Sequence, residues 1–181
     1  MSWANMRDKI ISILTMDDGT MINLPRFYKK VSEGYGFAIS KRFDSLGAGE
    51  TISFFFQNPS GSGRIGNIID VEVVGGAELE VDVYKNNTLN TGGTTLQALN
   101  LRPSSTIQNS LIVEYGGNYT KGTLIYNMVV PGGSKQFAIG GAVSLGEAVI
   151  LDPGVNFLLD MINKSASDCS ASAKVVWWED P

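Results

Sequence analysis

Histidine is missing from the whole 181-residue sequence. That removes the side chain most used as a general base and as a ligand for transition metals. A Ser–His–Asp or Cys–His catalytic group cannot be built within the chain, nor can a zinc site of the usual kind. Cysteine is reduced to Cys169, so no intrachain disulfide framework is possible. Charged residues are also scarce, at 18% of the chain against about 25% in an average domain. The net charge is −4, and no basic run exceeds the pairs Lys29-Lys30 and Lys41-Arg42. Phosphate-backbone binding needs concentrated positive charge, so no nucleic-acid partner is expected. No apolar run reaches the roughly 18–20 residues of a membrane span, and no membrane partner is expected either. The N-terminus lacks the basic, apolar, small-residue order of a signal peptide. The glycosylation patterns at Asn86-Asn87-Thr88, Asn118-Tyr119-Thr120 and Asn163-Lys164-Ser165 therefore read as chance matches.

Glycine is plentiful, with 21 residues, and the hydrophobic fraction is an ordinary 43%. A chain of this length buries roughly 70% of its unfolded surface and needs no metal or cross-link to fold. Low charge with many glycines and β-branched residues suits short strands joined by tight turns.

The opening stretch stands apart. Trp3, Met6, Ile10, Ile13 and Leu14 recur at helical spacing. A rival reading makes a hairpin of Ile11 to Leu24 around Asp17-Asp18-Gly19, because Asp-Gly is a strong tight-turn signal. Pro25 interrupts any central strand, and Arg26 to Gly36 reads as a charged connection. Residues 1–35 are thus expected to form an arm, and residues 36–181 a β domain.

From Phe37 onward the pattern is all β. Strands are expected at 37–43, 51–57, 65–74, 78–84, 94–101, 111–115, 124–130, 136–139, 142–151, 156–163 and 171–178, with a polar loop at 86–93. Gly75-Gly76 reads as a hairpin turn between the third and fourth. Strands at this spacing imply a sandwich or barrel. In the segment 77–83, Leu79, Val81 and Val83 share one face while Glu78, Glu80 and Asp82 share the other. Leu111-Ile112-Val113, Met128-Val129-Val130 and Val149-Ile150-Leu151 are apolar on both faces, which implies cover on both sides or a subunit contact. In the last strand Ala171, Ala173, Val175 and Trp177 form an apolar face, and the opposite face turns apolar only at Val176 and Trp178. Trp177 is assigned to the core, and Trp178 to a contact with a neighbouring subunit or the arm.

No constellation points to chemistry. Glu78, Glu80 and Asp82 could offer oxygens to calcium but lack the loop ligands of such a site, and read as a solvated face. Asp17-Asp18-Gly19 lacks EF-hand spacing, and Gly61-Ser62-Gly63-Arg64-Ile65-Gly66 is followed by a strand pattern where a phosphate loop needs a helix. Cys169 has no base to activate it. Asp152, Asp160 and Glu147 are the carboxylates from which a glycosidase pair would be drawn. Phe54, Phe55, Phe56, Trp177 and Trp178 are the aromatics available to a sugar platform. No catalytic residue, metal or cofactor is expected.

Three stretches carry a resemblance: Asn90 to Leu101, Val129 to Ser134 with Ile139-Gly140-Gly141, and Val149 to Leu159 leading to Val175-Val176-Trp177-Trp178-Glu179. Over about residues 65–179 the chain resembles tailed-phage virion structural proteins with a β-sandwich of jelly-roll type, and Leu14 to Asn23 is similar to the openings of some of them. The resemblance implies a virion location, a capsid decoration or cement protein, or a head or tail appendage. It also implies a homotrimer and a partner such as the major capsid protein or another virion protein. The alternative is a carbohydrate- or receptor-binding appendage with a host glycan as partner. The expected contact residues are Trp3, Met6, Ile10, Val176 and Trp178.

Overall fold

The computed structural model describes residues 26–132 and 149–181. The expectations for the opening stretch before Arg26, for the strand at 136–139 and for most of 142–151 lie outside the described residues.

The described chain begins with helix α1 (Arg26–Glu33), where the sequence suggested a connection. It ends at Gly34, whose φ of +89° suits glycine. There the Gly34 N–H donates to the Val31 carbonyl and the Tyr35 N–H to the Lys30 carbonyl, the pairing that closes a helix C-terminus. Eight residues are too few for a free helix in water, so α1 depends on the sheet beneath it.

Thirteen strands follow: β1 (Gly36–Leu46), β2 (Thr51–Gln57), β3 (Ile65–Gly75), β4 (Leu79–Lys85), β5 (Thr88–Thr91), β6 (Thr94–Thr95), β7 (Leu99–Asn100), β8 (Ile112–Tyr115), β9 (Asn118–Thr120), β10 (Thr123–Val130), β11 (Val149–Leu151), β12 (Asn156–Asn163) and β13 (Cys169–Asp180). All pair antiparallel. The first sheet runs β11-β3-β13-β1-β7 and the second β10-β4-β12-β2-β8-β6, with β5 and β9 forming a separate two-stranded ribbon. The protein is thus an all-β sandwich with a single described helix.

One hydrophobic core fills the space between the two large sheets. The first sheet contributes Phe37, Ile39, Ile68, Val71, Val73, Ala173, Val175 and Trp177; the second contributes Phe54, Phe56, Val81, Val83, Val113, Phe157, Leu159 and Met161. Trp177 is fully buried and meets rings from both layers, Phe37 at 5.9 Å and Phe56 edge-on at 6.3 Å. The alternation in β4 holds on its inner side, where Leu79, Val81 and Val83 are all buried.

Two local expectations are corrected. Gly75-Gly76 does not close a hairpin, because β3 and β4 belong to different sheets. The chain turns there from one layer to the other. A Cβ on Gly75 would lie 2.7 Å from the Leu79 side chain and from the Ala77 carbonyl, so the glycine serves a close approach. The expected strand at 94–101 is two short pieces. β6 extends the second sheet beside β8, and β7 extends the first beside β1, so this one segment fastens both layers along one side. The loop expected at 86–93 contains β5.

Candidate assembly surface

Of the expected contact residues, Trp3, Met6 and Ile10 lie outside the described residues. Val176 and Trp178 both lie on the outer face of the first sheet, where α1 crosses. Phe27 stands 6.3 Å from the Trp178 ring, and the Arg26 guanidinium lies 6.0 Å from its centroid. Trp178 is partly buried there, and its indole N–H is enclosed with no hydrogen-bond partner among the described residues. A Cβ on Gly36 would lie 2.5 Å from the Val31 side chain, so glycine at the start of β1 lets the helix sit down on the sheet. Trp178 and Gly36 face each other across β13 and β1, and α1 therefore runs across the strands. Part of the segment read as an arm is packed on the sandwich.

Charge fixes the helix in place. Asp180 accepts from Arg26 Nη2 at 2.8 Å and pairs with Lys30 Nζ at 2.9 Å. Burial pushes the Asp180 carboxyl up, but Lys30 and Arg26 outweigh it and hold it below the ordinary aspartate value. One residue earlier, the fully buried Glu179 carboxylate accepts from Arg64 Nη1 at 2.9 Å, from the Ser110 N–H at 2.8 and 3.0 Å, from the Leu111 N–H at 3.4 Å and from Trp177 Nε1 at 3.2 Å. The last residues of β13 thus join the core, the loop before β8 and the helix.

No protein-family model matches the chain, and no curated protein matches it in sequence. Its function has to be argued from its own geometry.

The acidic face of β4 is less solvated than its sequence suggests. Glu78 is exposed and Glu80 partly so, but Asp82 is buried. Asp82 accepts from Tyr84 Oη at 2.8 Å and from Asn127 Nδ2 at 2.6 Å. Directly opposite on β12 is Asp160, with no exposed surface. Lys121, beside the ribbon, brings its ammonium to 2.7 Å from Asp160 Oδ2 and lies over the Tyr84 ring. Asp160 Oδ1 has no hydrogen-bond partner among the described residues. Burial would lower the Lys121 pKa, but Asp160, with Tyr84 and Asp82, holds it above the ordinary lysine value. Tyr119 of the ribbon stacks on Phe55 at 4.9 Å, so the ribbon caps this face. A glycosidase pair must be open to its substrate, and these two opposed carboxylates are both buried.

The other candidates separate in the same way. Asp152 lies in an exposed turn and Asp160 in the interior, while Glu147 is outside the described residues. Among the described residues no three metal-binding side chains converge. Gly66 already belongs to β3, so the glycine-rich stretch leads into a strand. Cys169 is buried, and burial raises its thiol pKa. Phe54, Phe55 and Phe56 are all buried, which withdraws them from any sugar platform. Asn163 is buried as well and donates to the carbonyls of Leu46, Gly47 and Ser167, so its glycosylation pattern is a structural asparagine.

The outward residues of the strands expected to be apolar on both faces are open in the single chain. Ile112 on β8, Val129 on β10 at 57% exposure and Ile150 on β11 at 56% all face away from the core. What the sequence did not single out is α1 itself. Tyr28 and Leu99 are 60% and 69% exposed, the highest values among the described large hydrophobics. The Pro25 boundary and the Phe27–Val31 spacing were the available signals for that helix.

Proposed function

We propose that the chain is a virion structural protein, a capsid decoration or cement protein that acts as a homotrimer bound to the capsid, with a sandwich of jelly-roll type. The observation that carries this reading is the strand order. Set aside the short β5 to β9, and each early strand pairs with its counterpart counted from the C-terminal end: β1 with β13, β2 with β12, β3 with β11 and β4 with β10. The sheets then read β1-β13-β3-β11 and β2-β12-β4-β10. This order supports a long hairpin rolled up on itself, the two-Greek-key arrangement common to viral capsid and lectin domains. Three further observations favour a structural role. Histidine is absent, the facing carboxylates Asp82 and Asp160 are buried with Lys121 against Asp160, and aliphatic side chains face outward on β8, β10 and β11. The glycan-binding alternative is weakened because Phe54, Phe55, Phe56 and Trp177 are all in the interior.

Light scattering of the chain alone, followed by co-sedimentation with capsid shells of the virus that encodes it, tests the reading. A mass three times that of the chain and saturable binding to shells are expected. A monomer that leaves the shells unbound while binding a glycan on an array would overturn it in favour of the alternative.

A further inference from the structure

The Lys121 ammonium lies 2.7 Å from Asp160 Oδ2. The length is that of any close ion pair, but the setting is unusual. Asp160 has no exposed surface, and its Oδ1 has no hydrogen-bond partner among the described residues. Buried polar groups are as a rule hydrogen-bonded, because an ionised one left short of donors is costly. A second buried carboxylate, Asp82, stands directly opposite on β4, where facing Cβ atoms are about 4.5–5.5 Å apart. An amine and a carboxyl group are thus held in contact at the one place where the carboxylate is poorly satisfied and has a like charge beside it.

The lysine is fixed there by its surroundings. Its ammonium lies 5.1 Å from the centroid of the Tyr84 ring, and Tyr84 Oη donates to Asp82. The backbone behind it is anchored at Gly122, whose N–H donates to Asn87 Oδ1 at 3.0 Å. A Cβ on Gly122 would meet the Lys85 and Asn86 carbonyl oxygens, so glycine lets the chain press against the end of β4. Leu158, two residues before Asp160 on the same face of β12, is buried, as is Phe55 opposite it, on which Tyr119 stacks. These apolar groups keep water from the acid.

We propose that Lys121 Nζ condenses with the Asp160 carboxyl group, forming an intramolecular amide that ties the loop between β9 and β10 to β12. The pair rests as ammonium and carboxylate. The reacting form arises when a proton passes from Nζ to the carboxylate, leaving a neutral amine and a neutral acid. Burial favours this exchange because neither product is charged. Asp82 favours it because a proton on Asp160 removes the repulsion between two facing carboxylates. The Nζ lone pair then attacks Cγ, and a C–N bond forms. One C–O bond breaks, and the hydroxyl leaves with a proton from the nitrogen as water. Nothing is oxidised or reduced, and no co-reactant is consumed. Well-oriented groups held in contact reach effective molarities of about 10⁵–10⁸ M, which drives a condensation that free amine and acid do not undergo in water. The amide also removes charge from a site that offers it too few donors.

Intact-mass measurement of the purified full chain tests this. The folded chain should be lighter than its sequence by one water molecule. Trypsin should fail to cut after Lys121 and should release one branched peptide carrying Lys121 and Asp160. Lys121→Arg keeps the positive charge but has no amine to attack, and it should restore the full sequence mass. Asp82→Asn should slow the appearance of the lighter species after synthesis by about tenfold or more, since each pKa unit withdrawn from Asp160 is a factor of ten. An unchanged rate would overturn the part given to Asp82. A folded parent chain that keeps its full mass after prolonged incubation would make the contact a salt bridge only and overturn the proposal. A lost water that persists in Lys121→Arg would place the dehydration elsewhere, as in succinimide formation at Asp18-Gly19, and overturn it equally.

Discussion

Replacing Glu179 by alanine removes the acceptor for four donors at once, and the structure allows the cost to be ranked. Arg64 loses its carboxylate partner, which lies 2.9 Å away with no exposed surface on the glutamate side. Breaking a buried ion pair from one side costs about 3–5 kcal/mol. Arg64 keeps 26% of its side chain in water and can rehydrate, so the lower end of that range applies. The Ser110 and Leu111 amides and the Trp177 indole N–H each lose an acceptor, on the order of 1 kcal/mol apiece. These donors share one carboxylate, so their losses do not add in full. A total of about 4 kcal/mol is expected.

Glu179→Gln should fall between, at about 2 kcal/mol. Its amide oxygen can still accept from Ser110 and Leu111, but its NH2 then faces the Arg64 donor. For a chain of this length each kcal/mol moves the melting midpoint by about 2–4 °C. Glu179→Ala should therefore melt roughly 8–16 °C below the parent chain, and Glu179→Gln roughly half as far below it. Differential scanning calorimetry reads both, and Arg64→Met combined with each closes a double-mutant cycle. If Glu179→Ala melts within about 3 °C of the parent, the carboxylate is not the junction between β13 and the loop before β8, and the argument fails.

Trp177→Ala should cost about 3–5 kcal/mol in urea unfolding, as loss of a core aromatic does, whereas Trp178→Ala should cost clearly less because that ring lies on the outer face beside α1 and is only partly buried. Lys121→Met should destabilise strongly by leaving Asp160 buried beside Asp82 without a cation, while Asp160→Asn should be milder because it relieves two opposed carboxylates; equal losses in thermal melts would refute the electrostatic account. Asp180 titrates below the ordinary aspartate value of about 3.9. Its hold on α1 is therefore present above that pH and lost as pH falls through the lowered value, and hydrogen exchange in residues 26–33 should show this step in the parent chain but not in Asp180→Asn.

The parts of the fold legible in the sequence are those governed by period and turn chemistry. The strands at 51–57 and 156–163 match their expected bounds, because clean apolar runs there are bounded by turn residues. The inner face of β4 follows the two-residue period. The outer face does not follow polarity, because Asp82 is buried by partners far away in sequence, Tyr84's neighbour Lys121 and Asn127 among them. Gly75-Gly76 shows the same limit. A glycine pair says that the chain turns, but whether the next strand joins the same sheet depends on where the last strands arrive. Helix α1 was missed since eight residues with mixed charge carry a weak period, and the sheet that stabilises it is formed by residues some 150 positions later.

The paired tryptophans of Val175-Val176-Trp177-Trp178-Glu179 can now be read against their surroundings. An extended strand sends neighbouring side chains to opposite faces, and here both faces are in use. Trp177 closes the core between the layers, while Trp178 supports helix α1. The two acids that follow repeat the division. Glu179 points inward to Arg64, Ser110 and Trp177, and Asp180 points outward to Arg26 and Lys30. The inner pair governs global stability and the outer pair governs the helix, so their substitutions should separate. Glu179→Ala should lower the melting point with α1 still docked in the folded fraction. Asp180→Asn should leave the melting point near that of the parent but speed hydrogen exchange in 26–33. A shared response of melting and exchange in both variants would mean that helix and sandwich unfold as one unit, and that the division between the two faces of β13 is not an energetic one.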